Sequence, residues 1–218
     1  MALIDDLIKN GWLKTPRIIK AFKEIKRADF LSASVFKRED IESLAELNEA
    51  LPIGYGQTIS QPLVVAFMLE QLNPKQGDKI LDVGSGSGWT TALLAHIVSQ
   101  NGNVKPQSER GKVIAIELIP ELKEFGERNV AKYNFVEKGI AEFICGDGSK
   151  GYEKEAPFDN ILASASAQEI PQAWKDQLKI GGRIVTPVKS SIFVLTKKGE
   201  GDFEEQEHYG FAFVPLIT

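Results

Sequence analysis

Apolar residues in the first fifty positions recur at helical intervals, with Ile18, Ile19, Phe22 and Ile25 along one stripe, and they predict two or three short helices. Prolines and glycines then bracket the segment from Ala50 to Pro62, which reads as a loop. Pro62 opens a helix to about Leu72, at the first-turn position where its missing N–H costs nothing. Beyond it, short apolar runs alternate with helical stripes. Strands are expected over 79–83, 112–117, 141–145, 158–165 and 183–188. Helices are expected over 89–98, through Leu122, Phe125, Val130 and Tyr133, and over 171–178, with Gly126 a weak point in the second. Such alternation implies right-handed crossovers and a doubly wound, mostly parallel sheet covered on both faces, an α/β fold. Ser99 to Lys112, with Gly102, Pro106 and Gly111, reads as an exposed loop. The end of the chain differs, because Ile192–Thr196 and Gly210–Pro215 read as two strands joined by the polar stretch Lys197–Glu207 without a helix. An antiparallel hairpin should therefore close the sheet, with Glu204, Glu205 and Glu207 on its solvated tip.

With 43% hydrophobic and 26% charged residues, the 218-residue chain can bury a core, and one domain is expected. Its longest apolar run, Leu63 to Leu69, falls far short of the ~20 residues of a membrane-spanning helix. Asp5 and Asp6 stand where a signal peptide carries positive charge, so a cytoplasmic address is expected, with no membrane partner. Cys145 is the only cysteine and reads as a buried residue at a strand end. Together with His96 and His208, the only histidines, it offers neither a disulfide framework nor a metal site. The net charge of -4 argues against nucleic acid as a partner, and a monomer is expected.

The run Asp82-Val83-Gly84-Ser85-Gly86-Ser87-Gly88 follows the first strand and opens a helix. There, at the carboxyl edge of a parallel sheet, backbone N–H groups and the helix dipole receive a ligand. A dinucleotide fingerprint needs its third glycine at position 89, where this chain has Trp89. A bulky side chain there opposes close approach over a pyrophosphate, whereas S-adenosylmethionine, whose middle section bears an amino acid, fits better than NAD. Glu117 ends the second strand and can accept both ribose hydroxyls. Asp147, between Gly146 and Gly148 just past the third strand, would reach an adenine amino group. The competing reading makes both acids mere helix caps.

These features resemble the protein-L-isoaspartate O-methyltransferases over nearly the whole chain. The similarity rests on the segment Leu51 to Pro62, LPIGYGQTISQP, and on the glycine motif from Leu81 to Gly88. It rests further on Cys145-Gly-Asp-Gly, Ala156-Pro-Phe-Asp, Glu169-Ile-Pro, Leu178-Lys-Ile-Gly-Gly-Arg and Phe213-Val-Pro-Leu. The glycine motif alone marks a class I methyltransferase, while the Gln57 to Pro62 stretch is the specific one. The resemblance implies a class I S-adenosylmethionine-dependent fold, with a helical portion and substrate loop over 1–60 and a cofactor-binding core and hairpin over 61–218. It implies Ser60 as the active-site hydroxyl, with Thr58 and Ile59 on the substrate. It puts Asp82, Gly84, Ser85, Gly86, Gly88, Glu117, Leu118, Asp147 and Gly148 in the cofactor site. Two departures stand out: the 99–112 loop is several residues longer than usual, and Ser164-Ala-Ser replaces a stretch more often Thr-Ala-Ala-like.

The implied reaction methylates the α-carboxylate of L-isoaspartyl residues in damaged proteins and peptides, leaving S-adenosyl-L-homocysteine and an ester that collapses through a succinimide toward aspartate. A sulfonium methyl is a strong electrophile and a carboxyl of pKa near ~4 is already ionised, so no strong base is needed. No catalytic group is expected to titrate between about pH 6 and 8. Thr58 and Ser60 can hold the carboxylate by hydrogen bonds, and Ser60 could also cap the helix behind it. Two other readings remain: an O-methyltransferase for a dedicated peptide or small carboxylic acid, and a non-catalytic S-adenosylmethionine-binding module.

Overall fold

The computed structural model describes residues 2–99 and 111–217, so most of the long loop before the second predicted strand lies outside the described residues. Helices α1 (Ala2–Lys9), α2 (Pro16–Glu24) and α3 (Ile41–Ala45) form the N-terminal portion, with 3-10 turns at Arg27–Phe30 and Arg38–Asp40. The expected loop before Pro62 contains a small antiparallel hairpin, β1 (Leu51–Gly54) and β2 (Gln57–Ile59). Helix α4 (Pro62–Leu72) ends in the left-handed Asn73, a residue that tolerates positive φ. Next come β3 (Lys79–Val83), α5 (Trp89–Val98), β4 (Lys112–Glu117), α6 (Pro120–Ala131), β5 (Ala141–Cys145) and β6 (Phe158–Ala163). A short α7 (Gln172–Asp176) leads into β7 (Leu178–Val188), β8 (Ser191–Gly199) and β9 (Asp202–Tyr209).

The sheet order is β5-β4-β3-β6-β7-β8-β9, parallel from β5 to β7 and antiparallel thereafter. Because side chains alternate across a strand, each central strand feeds two cores. Ile80, Val113, Ala115, Leu162 and Val185 pack with residues of α1, α2, α4, α5 and α6 on one face. Leu81, Val83, Ile114, Ile116, Ile161, Ala163 and Ile184 pack with Trp174 on the other. The second face has the thinner cover, α7 and the 3-10 turns Gly148–Lys150 and Glu153–Glu155, since no longer helix links β5 to β6.

The closing hairpin forms, but its second strand is Asp202–Tyr209 and not Gly210–Pro215. An edge strand is held largely by its backbone ladder and needs only a few packed side chains, here Phe203 against the second core and His208 against Phe67, and charges along it discourage pairing with another chain. Glu204, Glu205 and Glu207 therefore lie along the strand rather than at its tip, where Gly201 turns with φ +72°. Freed from the sheet, the apolar 210–217 segment crosses back over the carboxyl edge, where Ser166 N–H donates to Val214 O (2.8 Å) and Leu216 N–H donates to Ser166 O (2.8 Å). Strand β7 also starts five residues before the expected position 183, at Leu178, and shortens the preceding helix to α7. Cys145 is exposed at the end of β5, the other edge strand, where it pairs with Glu117 on one side only and its Sγ donates to Leu118 O (3.8 Å).

Candidate active site

Four segments that follow parallel strands, Gly84–Thr90 after β3, Glu117–Ile119 with β4, Gly146 and Gly148 after β5, and Ser164–Ala165 after β6, surround one cavity. This is the crevice at the carboxyl ends of an open α/β sheet, where β3 and β6 run side by side and the chain switches direction. The turn is pinned to β4, since the N–H groups of Gly84 and Ser85 both donate to Ile116 O at 2.9 and 3.1 Å. Gly88 sits at φ +83°, and a Cβ there would stand 2.7 Å from Gly126 O and 2.9 Å from Val130 Cγ2. Gly126 in turn lies under Gly86 O, which a Cβ would meet at 2.8 Å. The expected weak point of α6 is thus the place where that helix touches the glycine turn. Gly88→Val should cost several kcal/mol of stability, because both the backbone region and the contact are closed to it. Urea denaturation with an unchanged midpoint would disprove this account of the turn.

Gly84, Ser85, Gly86, Glu117, Leu118 and Gly148 line the cavity, as do Thr58, Ile59 and Ser60 from the β1–β2 hairpin and the residue behind it. Glu117 is 7% exposed; its Oε2 accepts from Gly86 N–H (2.9 Å) and its Oε1 from Ile119 N–H (3.1 Å). The Ser85 hydroxyl is buried without a hydrogen-bond partner among the described residues, which leaves a polar demand in the cavity wall that a ligand can meet. Gly88, Asp82 and Asp147 are not among the lining residues. Asp147 caps its own turn, accepting from Ser149 N–H (3.0 Å) and Oγ (2.6 Å) and facing Lys150 Nζ at 3.1 Å. Those Ser149 bonds, with Lys150, hold its carboxyl below the usual range. Trp174, fully buried, donates from Nε1 to Gly148 O (2.8 Å) and fixes that turn from beneath.

Asp82 is fully buried under the glycine turn, with Thr91 Oγ1 donating to Oδ2 (2.6 Å) and Oδ1 without a partner among the described residues. Burial pushes its pKa up to about 7, with the Glu117 charge adding to the rise against the Thr91 bond. Asp82 is not a lining residue, so this rise leaves untouched the expectation that no catalytic group titrates between about pH 6 and 8. The folded carboxyl keeps its proton up to about 7 while the unfolded one loses it near 3.8, so its contribution to stability is best below that lower value and declines until pH reaches the upper one. Asp82→Asn should abolish this decline, on the order of 2–4 kcal/mol, in the ligand-free protein. Chemical denaturation at several pH values would show it, and an unchanged pH slope would contradict it.

A second cleft adjoins the first on the far side of the hairpin, lined by Ala50, Gln61, Leu63, Val64 and the segment Gly210–Val214. The two share Thr58, Ser60, Ser164 and Val214 as a common wall. No Asp, Glu, Lys, Arg or His lines the second cleft among the described residues. Ser60 does not cap α4, whose N-cap is Gln61 with no side-chain bond. Val214 to Ile217 also line the first cavity, as do Thr90 and Trp89. The Phe213-Val-Pro-Leu match could have drawn attention to the chain end, but its apolar run reads as a strand, and Thr90 carries no sequence signal.

Fold and site together define a class I methyltransferase. The chain matches the model of the Protein-L-isoaspartate(D-aspartate) O-methyltransferase family over residues 1–218, and it belongs to that family. It is 38% identical to the protein-L-isoaspartate O-methyltransferase of Methanopyrus kandleri over 99% of this chain and 89% of that one. It is 37% identical to the Pyrococcus horikoshii protein of the same name, over 98% and 90% of the two chains. A Plasmodium falciparum structure assigned as a protein-L-isoaspartate O-methyltransferase, in complex with S-adenosyl-L-homocysteine, superposes with a TM-score of 0.84 at 23% identity, over 99% of this chain and 97% of that one, a likeness of fold.

Proposed function

We propose that the first cavity holds S-adenosylmethionine and the adjoining cleft holds an isoaspartyl α-carboxylate, so that the methyl group passes across their common wall. As a member of its family, the chain transfers a methyl group from S-adenosylmethionine to the α-carboxylate of L-isoaspartyl residues in proteins and peptides. The observation that carries the site assignment is the wall itself: Thr58 and Ser60 face both spaces, and no titratable side chain lines the cleft among the described residues.

The bound donor supplies an electrophilic methyl on a sulfonium, and the chain's own residues supply position. Backbone N–H groups of the glycine turn, Ser85 Oγ and the Glu117 carboxylate suit a ligand with hydroxyl, amino and carboxylate groups. The hydroxyls of Thr58 and Ser60 can donate to the acceptor carboxylate without competing as nucleophiles. Alignment of this kind can lower a barrier by ~7 kcal/mol or more. The apolar walls given by Leu63, Val64, Phe211 and Phe213 exclude water and leave room for neighbouring peptide side chains.

A methyl-transfer assay on a matched pair of isoaspartyl and aspartyl peptides tests the reading. The isoaspartyl peptide should be methylated and the aspartyl peptide ignored, because the carboxylate leaves the backbone along a different path in each. Equal methylation, or turnover only with a free small carboxylic acid, would refute it.

A further inference from the structure

Arg27 stands at the start of the 3-10 turn Arg27–Phe30 and is only 6% exposed. Among the described residues it makes no ion pair, and all four of its hydrogen bonds go to backbone carbonyls. Nη1 donates to Leu47 O (3.0 Å) and Ala45 O (3.4 Å), and Nη2 donates to Glu49 O (2.7 Å) and Ser60 O (3.3 Å). Its Cζ lies 5.4 Å from the centroid of the Trp89 ring, which is itself edge-packed against Phe22. Nε has no partner. Burial without a counter-charge lowers the pKa to about 10, so the guanidinium remains charged at neutral pH.

A buried charge without a carboxylate partner is costly, and chains normally avoid one or pair it. Holding the N-terminal portion together would need only the carbonyls at 45–49, which belong to it. This group instead also reaches the backbone of Ser60 on the acceptor side and the face of Trp89 on the donor side. Building on the reading of Ser60 given above, we infer that Arg27 is a positioning residue for methyl transfer, a clamp that sets the Ser60 hydroxyl in register with the donor cavity through one planar guanidinium. The fork geometry is what a lysine lacks, since its ammonium is a point charge that cannot span carbonyls from two segments and lie flat on a ring.

Arg27→Lys in the full chain tests this. Expected is a fall in kcat of about ten- to a hundredfold, as for a displacement of about 1 Å in a reacting group, with the affinity for S-adenosylmethionine and the far-ultraviolet dichroism unchanged. Amide hydrogen exchange over Gln57–Gln61 should accelerate in the same variant. Where Arg27→Ala remains folded, added ethylguanidinium should restore part of kcat, and potassium chloride at equal ionic strength should not. Wild-type kcat and exchange in Arg27→Lys would overturn the inference, as would a loss of rate that merely follows the fraction unfolded. If the wild-type chain methylates no isoaspartyl acceptor, the reading of the cleft fails, and the exchange measurement still decides whether Arg27 clamps Ser60.

Discussion

If Glu117 holds the ribose as proposed, Glu117→Ala should weaken S-adenosylmethionine binding by about two orders of magnitude or more, through loss of two charge-assisted hydrogen bonds, each worth roughly 1.5–3 kcal/mol. The structure adds a second route to the same loss. Glu117 already accepts from the N–H groups of Gly86 and Ile119, so its carboxylate also ties the tip of the glycine turn to the end of β4. A 2′,3′-dideoxy analogue of the ligand separates the two contributions. If the acid acts through the ribose, wild type should bind the analogue as poorly as Glu117→Ala binds the parent, and the two losses should not add. If it acts only by holding the turn, they will add in full. Glu117→Gln keeps the shape and one acceptor, and should fall between. Calorimetry that finds Glu117→Ala equal to wild type would remove this residue from the site.

The central strands were readable because short apolar runs bounded by turn residues describe a buried parallel strand well, and β3, β4 and β5 begin and end where the pattern puts them. The glycine turn was readable for a related reason, since three glycines at positive φ serve a geometry that few other residues adopt. The last forty residues were harder. Strand β9 is mostly polar because an edge strand held largely by its ladder needs few packed side chains, whereas the apolar 210–217 stretch looks like a strand and instead lies against the cavity and the cleft. Hydrophobic patterning reports burial and not pairing, so the two were exchanged. Asp147 shows a different limit: its place after β5 was evident, but the bonds to Ser149 and Lys150 that engage its carboxylate depend on local turn geometry. Arg27 carried no signal at all, because its partners are carbonyls from residues 18 to 33 positions away.

Ser60→Ala should lower kcat by about ten- to a hundredfold, the effect of losing ~1.5–3 kcal/mol from a hydrogen bond to a charged group that aligns it for attack. Ser60 lines both the cavity proposed for the donor and the cleft proposed for the acceptor, and its backbone carbonyl accepts a hydrogen bond from Arg27. Binding of S-adenosylmethionine should scarcely change, since the ribose and turn contacts lie on other segments. The pH dependence separates alignment from proton transfer. Asp82 titrates near neutrality under the glycine turn, so donor affinity can vary with pH, and the comparison must be made at saturating donor. Under that condition kcat should be nearly level between about pH 6 and 8 in both proteins, because the acceptor carboxylate is ionised throughout. A rise in kcat centred near pH 7 in wild type that vanishes in Ser60→Ala would instead place Ser60 in a general-base relay, and the alignment mechanism would then be wrong.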